Sequence, residues 1–390
     1  MILGYGHVRV GINALFQAHG GSLVHLQELL REWRTDGTLS KHRVVLFSST
    51  ANLRALETVL DGIRVVQLRR SDLGTAARLL VEQTELVSAI DRERVDVLFC
   101  PANTVPLRTR IPSVVLLQNA APFCASISPA SVGAAQWLRY RLLGRAMRLS
   151  VRRAARVIFI SEYFRDQFTR RCRFDVTKAT VIYRARRPAL KTGRGATLLA
   201  ERGIHGRFVL SVSHLYPYKN LVELAEGFLI ASRAHPGLDG RLVLVGTEYF
   251  RGYQTRIQEA LVRHRAPEGQ VILVGGQPSD VVAELLARCE VFAFPSTCEN
   301  CPTALIEAIG AGVPIACSRV GVMPEIAGDA ASYFDASDPH DIARALGELL
   351  RDADLRQELR RRALARANRF PEPSEVATRT LDVLKAAAGA

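Results

Sequence analysis

The sequence predicts an α/β protein made of two Rossmann-like halves, each with a parallel sheet. Short apolar runs alternate with stretches of helical periodicity along the whole chain, and this alternation is typical of parallel sheets. The 390 residues are 48% hydrophobic and 23% charged, which indicates a globular chain long enough for two domains.

The first half begins with a strand over residues 7–16, a turn at Gly20-Gly21 and a helix over residues 22–33. A strand, a glycine turn and a helix N-terminus form a site where phosphate approaches the backbone, so Gly20 and Gly21 are candidate ligand contacts. Further apolar runs predict strands over residues 43–47, 63–68, 95–100, 113–117, 156–160 and 180–182.

The second half repeats the alternation of strand and helix. Residues 184–206 are basic and rich in small residues, so we place the interdomain linker there. We expect an N-terminal domain over residues 1–190, a second domain over 191–368 and a crossover helix within 369–390. The predicted strands of this half cover residues 208–212, 242–245, 271–274, 291–294, 314–317 and 331–334. The predicted helices cover residues 220–232, 279–288, 339–350 and 374–387.

Two glutamates eight residues apart, Glu299 and Glu307, are the most informative feature of the second half. An apolar strand ends at Pro295, and a helical pattern follows until Gly310, so Glu299 falls in a loop and Glu307 in a helix. Ligands of open α/β sheets gather beyond the carboxyl ends of the strands, where this loop lies. Two acidic acceptors at that edge suit a ligand with several hydroxyl groups.

The segment from residue 294 to 315 resembles the donor-site signature of retaining GT-B glycosyltransferases of the group 1 family, also called family 4. The resemblance implies a GT-B fold, with two Rossmann-like domains facing a central cleft and a C-terminal helix that returns to the N-terminal domain. It implies that Glu307 holds the ribose diol of a nucleotide diphosphate sugar and that Glu299 contacts the sugar hydroxyls. The intervening residues implied in donor binding are Asn300, Cys301, Pro302 and Thr303.

A second stretch, residues 208–220, is similar to the first strand of the family's C-terminal domain and the loop after it. Lys219 matches the family's diphosphate-binding lysine, and with Glu299 it is our candidate catalytic pair. A lysine at the start of a helix with free N–H groups would stabilise the leaving phosphate. Many relatives carry arginine where His214 or Tyr218 stands here. The remaining donor-side candidates are His214, Asn220, Gly246 and Gly275, together with Gly20 and Gly21.

The acceptor-side candidates lie in the first half, at Asn103, Gln118, Asn119 and Ser161. Many relatives have His-Asp where this chain has Gln118-Asn119. Two neutral amides cannot act as a general base at neutral pH. We therefore expect the departing phosphate, and not a side chain of the enzyme, to take the proton of the acceptor.

Positive charge is concentrated in the first half. Residues 1–190 carry 29 basic and 14 acidic residues, whereas residues 191–390 carry 23 and 24. The segment from Arg139 to Arg156 has leucines at near-helical spacing between arginines, which predicts a basic amphipathic helix. Three interpretations stay open: an anionic membrane surface, nucleic acid, which lacks any supporting motif here, and a solvated helix of an arginine-rich protein.

Metal-ligand spacing, cysteine content and targeting signals give further expectations about cofactors, disulfides and localisation. We expect no metal and no cofactor beyond the nucleotide-sugar substrate, because no cluster of His, Asp and Glu has metal-ligand spacing. Seven scattered cysteines make a disulfide framework unexpected, and Cys298-x-x-Cys301 lacks the second pair of a zinc site. Without a secretory signal or a long apolar span, we expect a cytoplasmic protein, with peripheral contact at the inner face of the membrane.

The function we infer from these observations is retaining transfer of a sugar to a hydroxyl acceptor, in the synthesis of envelope polysaccharide or lipid-linked glycan. Two alternatives stay open. One is another GT-B enzyme, such as a sugar-nucleotide epimerase or a phosphorylase, and the other is a non-catalytic binder of nucleic acid or of an anionic surface.

Overall fold

The computed structural model describes residues 7–16, 21–73, 75–187, 192–235 and 240–389. The chain divides into two compact units. The first contains residues 1–123, 138–185 and 371–390, and the second contains residues 124–137 and 186–370. These divisions fall a few residues from the boundaries we expect at 190 and 368. The segment 124–137 is the exception. It groups with the second unit although it lies within the first half of the sequence.

Each unit contains one parallel sheet, and the six strands of the second sheet follow the order of the first six strands in the first sheet. The first sheet has the order β3-β2-β1-β4-β5-β6-β7, and the second has β10-β9-β8-β11-β12-β13. The strands are β1 Arg9–Ala14, β2 Arg43–Ser48, β3 Arg64–Gln67, β4 Val97–Cys100, β5 Ser113–Leu117, β6 Arg156–Phe159, β7 Ala179–Val181, β8 Arg207–Val212, β9 Gly240–Val245, β10 Val271–Gly275, β11 Val291–Phe294, β12 Ile315–Ser318 and β13 Ala331–Phe334. Every strand predicted from the sequence is present, within three residues at each end.

Helices connect the strands of both units, as parallel pairing requires. They are α1 Gly21–Thr35, α2 Thr38–Lys41, α3 Thr50–Leu56, α4 Thr75–Gln83, α5 Glu85–Arg92, α6 Pro129–Val132, α7 Ala134–Arg153, α8 Glu162–Arg171, α9 Arg194–Glu201, α10 Leu221–Ala234, α11 Tyr253–Arg263, α12 Ser279–Arg288, α13 Thr303–Gly310, α14 Met323–Ala327, α15 Pro339–Arg351, α16 Ala353–Ala367 and α17 Pro373–Ala388. Short 3-10 turns include Ala121–Phe123 and Pro217–Lys219.

The strands are apolar on both faces because helices cover both, so the core lies on each side of the sheet. In the second unit, α10 and α15 pack closely against each other, and α10 contributes Leu224 and Phe228 to the core. Gly227 makes this approach possible, since a Cβ atom there would lie 2.7 Å from the Ile342 side chain and 2.8 Å from the Pro339 carbonyl.

The helix α17 completes the first unit, as the crossover prediction requires. It packs against α1 and β4, and the indole N–H of the buried Trp33 donates a hydrogen bond to the Ala377 carbonyl at 3.2 Å. The Arg379 guanidinium donates to the Val181 carbonyl at 2.8 Å. Both bonds hold α17 to elements far away in the sequence.

The predicted linker is shorter than residues 184–206, because α9 lies within it. Thr192 donates its hydroxyl to Asp280 at 2.8 Å, and the Gly195 N–H donates to Glu284 at 3.0 Å, so the segment is held on α12. The Arg194 and Thr192 side chains lower the pKa of Asp280 to about 2. Basic composition alone could not distinguish a solvated linker from a helix bound to acidic residues elsewhere.

We expect Gly227→Ala to destabilise the second unit by about 1–3 kcal/mol, because the added methyl group overpacks the contact between α10 and α15. The measurement is urea unfolding followed by circular dichroism. Gly310→Ala is the matched control, since a Cβ there meets no atom within 4 Å. That substitution should be neutral or stabilise by about 0.5–1 kcal/mol, from the lower entropy of the unfolded chain. Equal stabilities for the two variants would contradict the packing argument.

Candidate functional site

The carboxyl ends of β8 and β11 lie side by side in the second unit, because the two strands pair directly. The loop after β8 carries Lys219, and the loop after β11 carries Glu299. The Thr297 N–H donates a hydrogen bond to the Tyr218 carbonyl at 2.9 Å, and the Thr297 hydroxyl donates to the same carbonyl at 3.1 Å. The two loops are therefore joined one residue before Lys219.

Lys219 and Glu299 form an ion pair between the Lys219 Nζ and the Glu299 Oε1. Their side chains are only 13% and 14% exposed, so solvent screens the pair weakly. The Lys219 ammonium also lies 5.5 Å from the centre of the Tyr218 ring and 5.7 Å from that of Phe294. The two candidate catalytic residues are thus brought together, with the cation held in an aromatic and acidic environment.

Glu307 lies on α13 and is paired with a residue that sequence reasoning missed. The Arg187 Nη1 donates to the Glu307 Oε1 at 3.0 Å, and the side chains are 26% and 17% exposed. Arg187 lies at the start of the segment 186–370 of the second unit, 120 residues before Glu307 in the sequence. Its only sequence signal was the basic character of the segment after β7.

The expectation of free N–H groups at the start of α10 is wrong. The Leu221 N–H donates to the hydroxyl of the buried Tyr253 at 3.0 Å, and the Val222 N–H bonds to the same hydroxyl. Burial raises the pKa of Tyr253, which keeps this hydroxyl neutral. The helix start is therefore capped by a tyrosine from α11, and Lys219 does not share the site with open helix donors.

The other predicted donor residues around Lys219 lie nearby with distinct local roles. The exposed His214 ring packs edge-on against Tyr249, with 4.6 Å between ring centres. Asn220 has a φ of 51° and donates its side-chain amide to the Ala336 carbonyl at 2.9 Å, so it shapes the turn into α10. Gly246 directly follows β9 and Gly275 is the last residue of β10, and the Gly246 N–H donates to the Gly275 carbonyl at 2.9 Å. Their roles in donor binding stay predictions.

At Gly246 the need for glycine is steric. A Cβ atom there would lie 1.8 Å from the Ser213 carbonyl oxygen, which no side chain can tolerate. The loops after β8 and β9 can approach each other only because this residue has no side chain.

The residues between the two glutamates form a buried turn into α13. Asn300 and Cys301 are buried, Pro302 precedes the helix in an extended conformation, and Thr303 is its first residue. Cys298, for which the scattered cysteines predicted no disulfide, is bonded to Cys124. The five other cysteines are thiols that take no part in a disulfide. The separation of 174 residues gave no sequence signal for this pair.

The disulfide fastens the segment 124–137 next to the loop of Glu299. Helix α6 of this segment lies against the 3-10 turn Pro217–Lys219. Its own start is fixed by a capping box between Ser128 and Ser131. The segment thus contacts both loops that carry the candidate catalytic pair.

In the first unit, the predicted acceptor-side amides form one network at the carboxyl ends of β4 and β5. The Asn103 Oδ1 accepts the N–H groups of Gln118 and Asn119 at 2.7 and 2.9 Å. Gln118 accepts from the buried Arg184, which also donates to the Gly21 carbonyl at 3.2 Å. Gly21 therefore lies in this network, whereas Gly20 falls outside the described residues.

Ser161 caps α8, accepting the Phe164 N–H at 3.2 Å, and its side chain is fully buried. Sequence reasoning missed a further polar pair at the same sheet edge. The Asn13 amide donates to Glu82 at 2.7 Å, and both side chains are buried. Burial raises the pKa of Glu82, which shifts this carboxyl group toward its protonated form.

The described residues contain neither a metal-binding cluster nor a helix that could cross a membrane. No group of three or more His, Cys, Asp and Glu side chains there could hold a metal ion. The Asp-x-Asp sequence at Asp352-Ala353-Asp354 starts α16, and Asp352 accepts the Leu355 N–H at 2.8 Å as its cap. Within the same residues, no helix has both the length and the hydrophobicity that crossing a bilayer requires.

Each half of the chain matches the model of a known glycosyltransferase family. The model of the glycosyl transferases group 1 matches residues 203–366, and the model of glycosyltransferase family 4 matches residues 19–188. The chain belongs to the group 1 glycosyltransferases. The matched region contains Lys219, Glu299 and Glu307, so the family predicted from the motif is confirmed.

Two curated relatives are about a quarter identical to this chain over the aligned segments. O-antigen chain mannosyltransferase B of Escherichia coli is 28% identical over 163 residues, which are 42% of each chain. A Campylobacter jejuni N-acetylgalactosaminyltransferase, whose name specifies a diphospho-undecaprenol substrate, is 26% identical over 180 residues, or 45% of this chain and 46% of the relative. The chain thus aligns with less than half the length of these curated relatives.

Solved structures confirm the GT-B fold of this group 1 glycosyltransferase. The Anabaena protein Alr3699/HepE, crystallised with UDP and glucose, superposes with a TM-score of 0.74 over 97% of this chain and 100% of its own. The sequence identity is 18%. WaaG, a glycosyltransferase involved in lipopolysaccharide biosynthesis, superposes with a TM-score of 0.72 over 97% of this chain and 99% of its own, at 15% identity.

We expect a thiol reagent to label five of the seven cysteines when the chain is unfolded without reduction. Prior reduction should raise the number to seven. Peptide mapping of the unreduced protein should find Cys124 and Cys298 in one cross-linked pair. Cys124→Ser is the control, since all six of its remaining cysteines should react without reduction. Seven reactive thiols in the unreduced wild type would contradict the pairing.

Proposed function

We propose that this group 1 glycosyltransferase moves a sugar from a nucleotide diphosphate sugar to a hydroxyl of a glycan or lipid-linked acceptor, with retention of anomeric configuration. The observation that carries the proposal is the position of Lys219, Glu299 and Glu307 in two joined loops and a helix beyond the carboxyl ends of β8 and β11. A cation beside two acceptors of sugar hydroxyls matches the chemistry of a nucleotide sugar.

The proposed roles follow from charge and position. Lys219 would stabilise the negative charge that grows on the leaving diphosphate. Glu299 would accept hydrogen bonds from the sugar hydroxyls, and N–H groups of the loop that follows it would donate to the sugar oxygens. Glu307 would accept the ribose diol. A structure of HepE with UDP and glucose supports a donor of this class.

In the proposed transfer, the bond between the sugar C1 and the phosphate oxygen breaks first, through an oxocarbenium-like state. The acceptor oxygen then bonds to C1 on the same face, and its proton passes to the departing phosphate oxygen. This route needs no enzyme base. The side chains of Gln118 and Asn119, which hydrogen bond within the network of the first unit, are consistent with that.

A second feature bears on the acceptor. Helix α7 has six arginines and no acidic residue, and Leu138, Leu142 and Leu149 are about half exposed along it. Arg78 on α4 interacts with Arg139, so α4, with the exposed Leu79 and Leu80, lies close to the start of α7. We propose that this basic and apolar face contacts an anionic membrane that carries a lipid-linked acceptor. The printed substrate of the Campylobacter relative supports an acceptor of that kind.

Calorimetric titration with UDP, GDP, ADP and dTDP, without added metal, tests the donor site. We expect one of these nucleotides to bind, and Glu307→Gln to weaken that binding by roughly tenfold to a hundredfold, because a charged acceptor of the ribose diol is lost. Glu259→Gln, an exposed position on α11, is the control and should leave binding unchanged. Absence of binding to all four nucleotides would reject the donor site.

Once the donor is known, Lys219→Gln should lower kcat by roughly a hundredfold to a thousandfold while the variant stays folded, because the charge on the leaving group is no longer stabilised. Proton NMR of the product tests retention. A product with inverted configuration would reject the proposed mechanism while leaving the donor site intact. Turnover of the donor without any acceptor, giving an isomeric sugar nucleotide, would favour the epimerase alternative.

Sedimentation with vesicles tests the membrane face. We expect binding to vesicles containing phosphatidylglycerol and little binding to pure phosphatidylcholine. Replacing Arg139, Arg141 and Arg145 by glutamine should reduce partitioning by one to two orders of magnitude, at about 1 kcal/mol for each cation. Val262→Ser, an exposed apolar position of the second unit, is the control and should bind like the wild type. Equal binding of the triple variant would assign the arginines to ordinary solvated surface.

A further inference from the structure

Among the described residues, the loops after β8 and β11 bring one lysine, Lys219, and no arginine to the proposed donor site. Lys219 is present, but the exposed His214 ring packs against Tyr249, and Tyr218 occupies the other position where the sequence could have placed an arginine. The first N–H groups of α10 donate to the Tyr253 hydroxyl. Two negative phosphates would then depend on a single ammonium.

Arg187 is close enough to supply the missing charge. Its Nη1 lies 3.0 Å from the Glu307 Oε1, and about a quarter of the side chain is exposed, so a ligand of Glu307 can reach it. A ribose carries its diol and its 5′-phosphate on one small ring. A cation that touches the acceptor of the diol is therefore within a side-chain rotation of the phosphate.

We propose that Arg187 is the second diphosphate-binding cation of this enzyme. It comes from the start of the segment 186–370 of the second unit and not from the loop after β8. This inference rests on the proposed function, because it assigns a residue to the same donor site. Arginine suits the role, since its planar fork binds phosphate oxygens in pairs and keeps its charge at any physiological pH.

The arrangement also explains how the free site is stabilised. Without a donor, each cation is paired with a carboxylate, Lys219 with Glu299 and Arg187 with Glu307, so the four charges sum to zero. An arriving diphosphate draws both cations toward its oxygens. The same movement frees Glu299 and Glu307 to accept hydroxyl groups of the sugar and the ribose. Binding of the phosphates thus makes the Glu299 and Glu307 carboxylates available to the sugar and the ribose of the donor.

Calorimetry with a series of ligands tests this exchange. The wild type and Arg187→Gln are titrated with the preferred base as nucleoside, nucleoside monophosphate and nucleoside diphosphate. We expect Arg187→Gln to weaken diphosphate binding by roughly tenfold to a hundredfold. Nucleoside binding should be unchanged or tighter, because Glu307 loses a competing partner. Arg187→Lys should recover part of the diphosphate affinity, and Arg202→Gln, an exposed arginine of the same unit, should match the wild type.

Several results would overturn the inference alone. Unchanged diphosphate affinity in Arg187→Gln would do so, and so would an equal loss for all three ligands, which would mean that Arg187 only positions Glu307. Thermal melting of each variant shows whether it is folded. Should Arg187→Gln unfold, Arg187→Lys takes its place, and a diphosphate-to-nucleoside affinity ratio equal to the wild type would then overturn the inference. A wild type that binds none of the diphosphates would overturn the proposed function as well, so the two failures are distinct.

Discussion

The hydrogen bonds from Thr297 to the Tyr218 carbonyl set the geometry of the second unit's active edge. β8 and β11 are neighbours in the sheet, but their loops carry polar and charged groups that water could pull apart. The N–H bond of 2.9 Å and the hydroxyl bond of 3.1 Å fix the loops to each other immediately before Lys219 and two residues before Glu299. The ion pair between these two side chains depends on that fixed point, and so does the path of the chain into α13.

The two units share the order of six strands, yet the carboxyl edges of their sheets differ in chemistry. The first unit presents Asn103, Gln118 and Asn119, neutral amides whose oxygens and nitrogens are largely engaged with one another and with Arg184. The second presents two pairs of opposite charges. In the proposed function, the neutral edge would contact the hydroxyl acceptor, and the charged edge would bind the diphosphate of the donor.

The sequence predicted every strand and the helix of Glu307, because strands and helices depend on local periodicity. It also predicted that Lys219 and Glu299 follow strands and that Glu307 lies in a helix, since these positions depend on one or two continuous segments. It could not predict Arg187, the cap of α10 by Tyr253, or the Cys124–Cys298 disulfide. These contacts join residues that are 120, 32 and 174 positions apart, and only the packed tertiary structure determines which side chain reaches which partner.

The return of α17 to the first unit determines when that unit can fold during synthesis. A ribosome makes α1 and β4 early, but the helix that packs on them, and the Ala377 carbonyl that satisfies the Trp33 indole, emerge only after the whole second unit. Until then, the apolar surface around Trp33 is exposed to solvent or to chaperones. The second unit requires no later segment, so it can reach its native state first, although its sequence comes second.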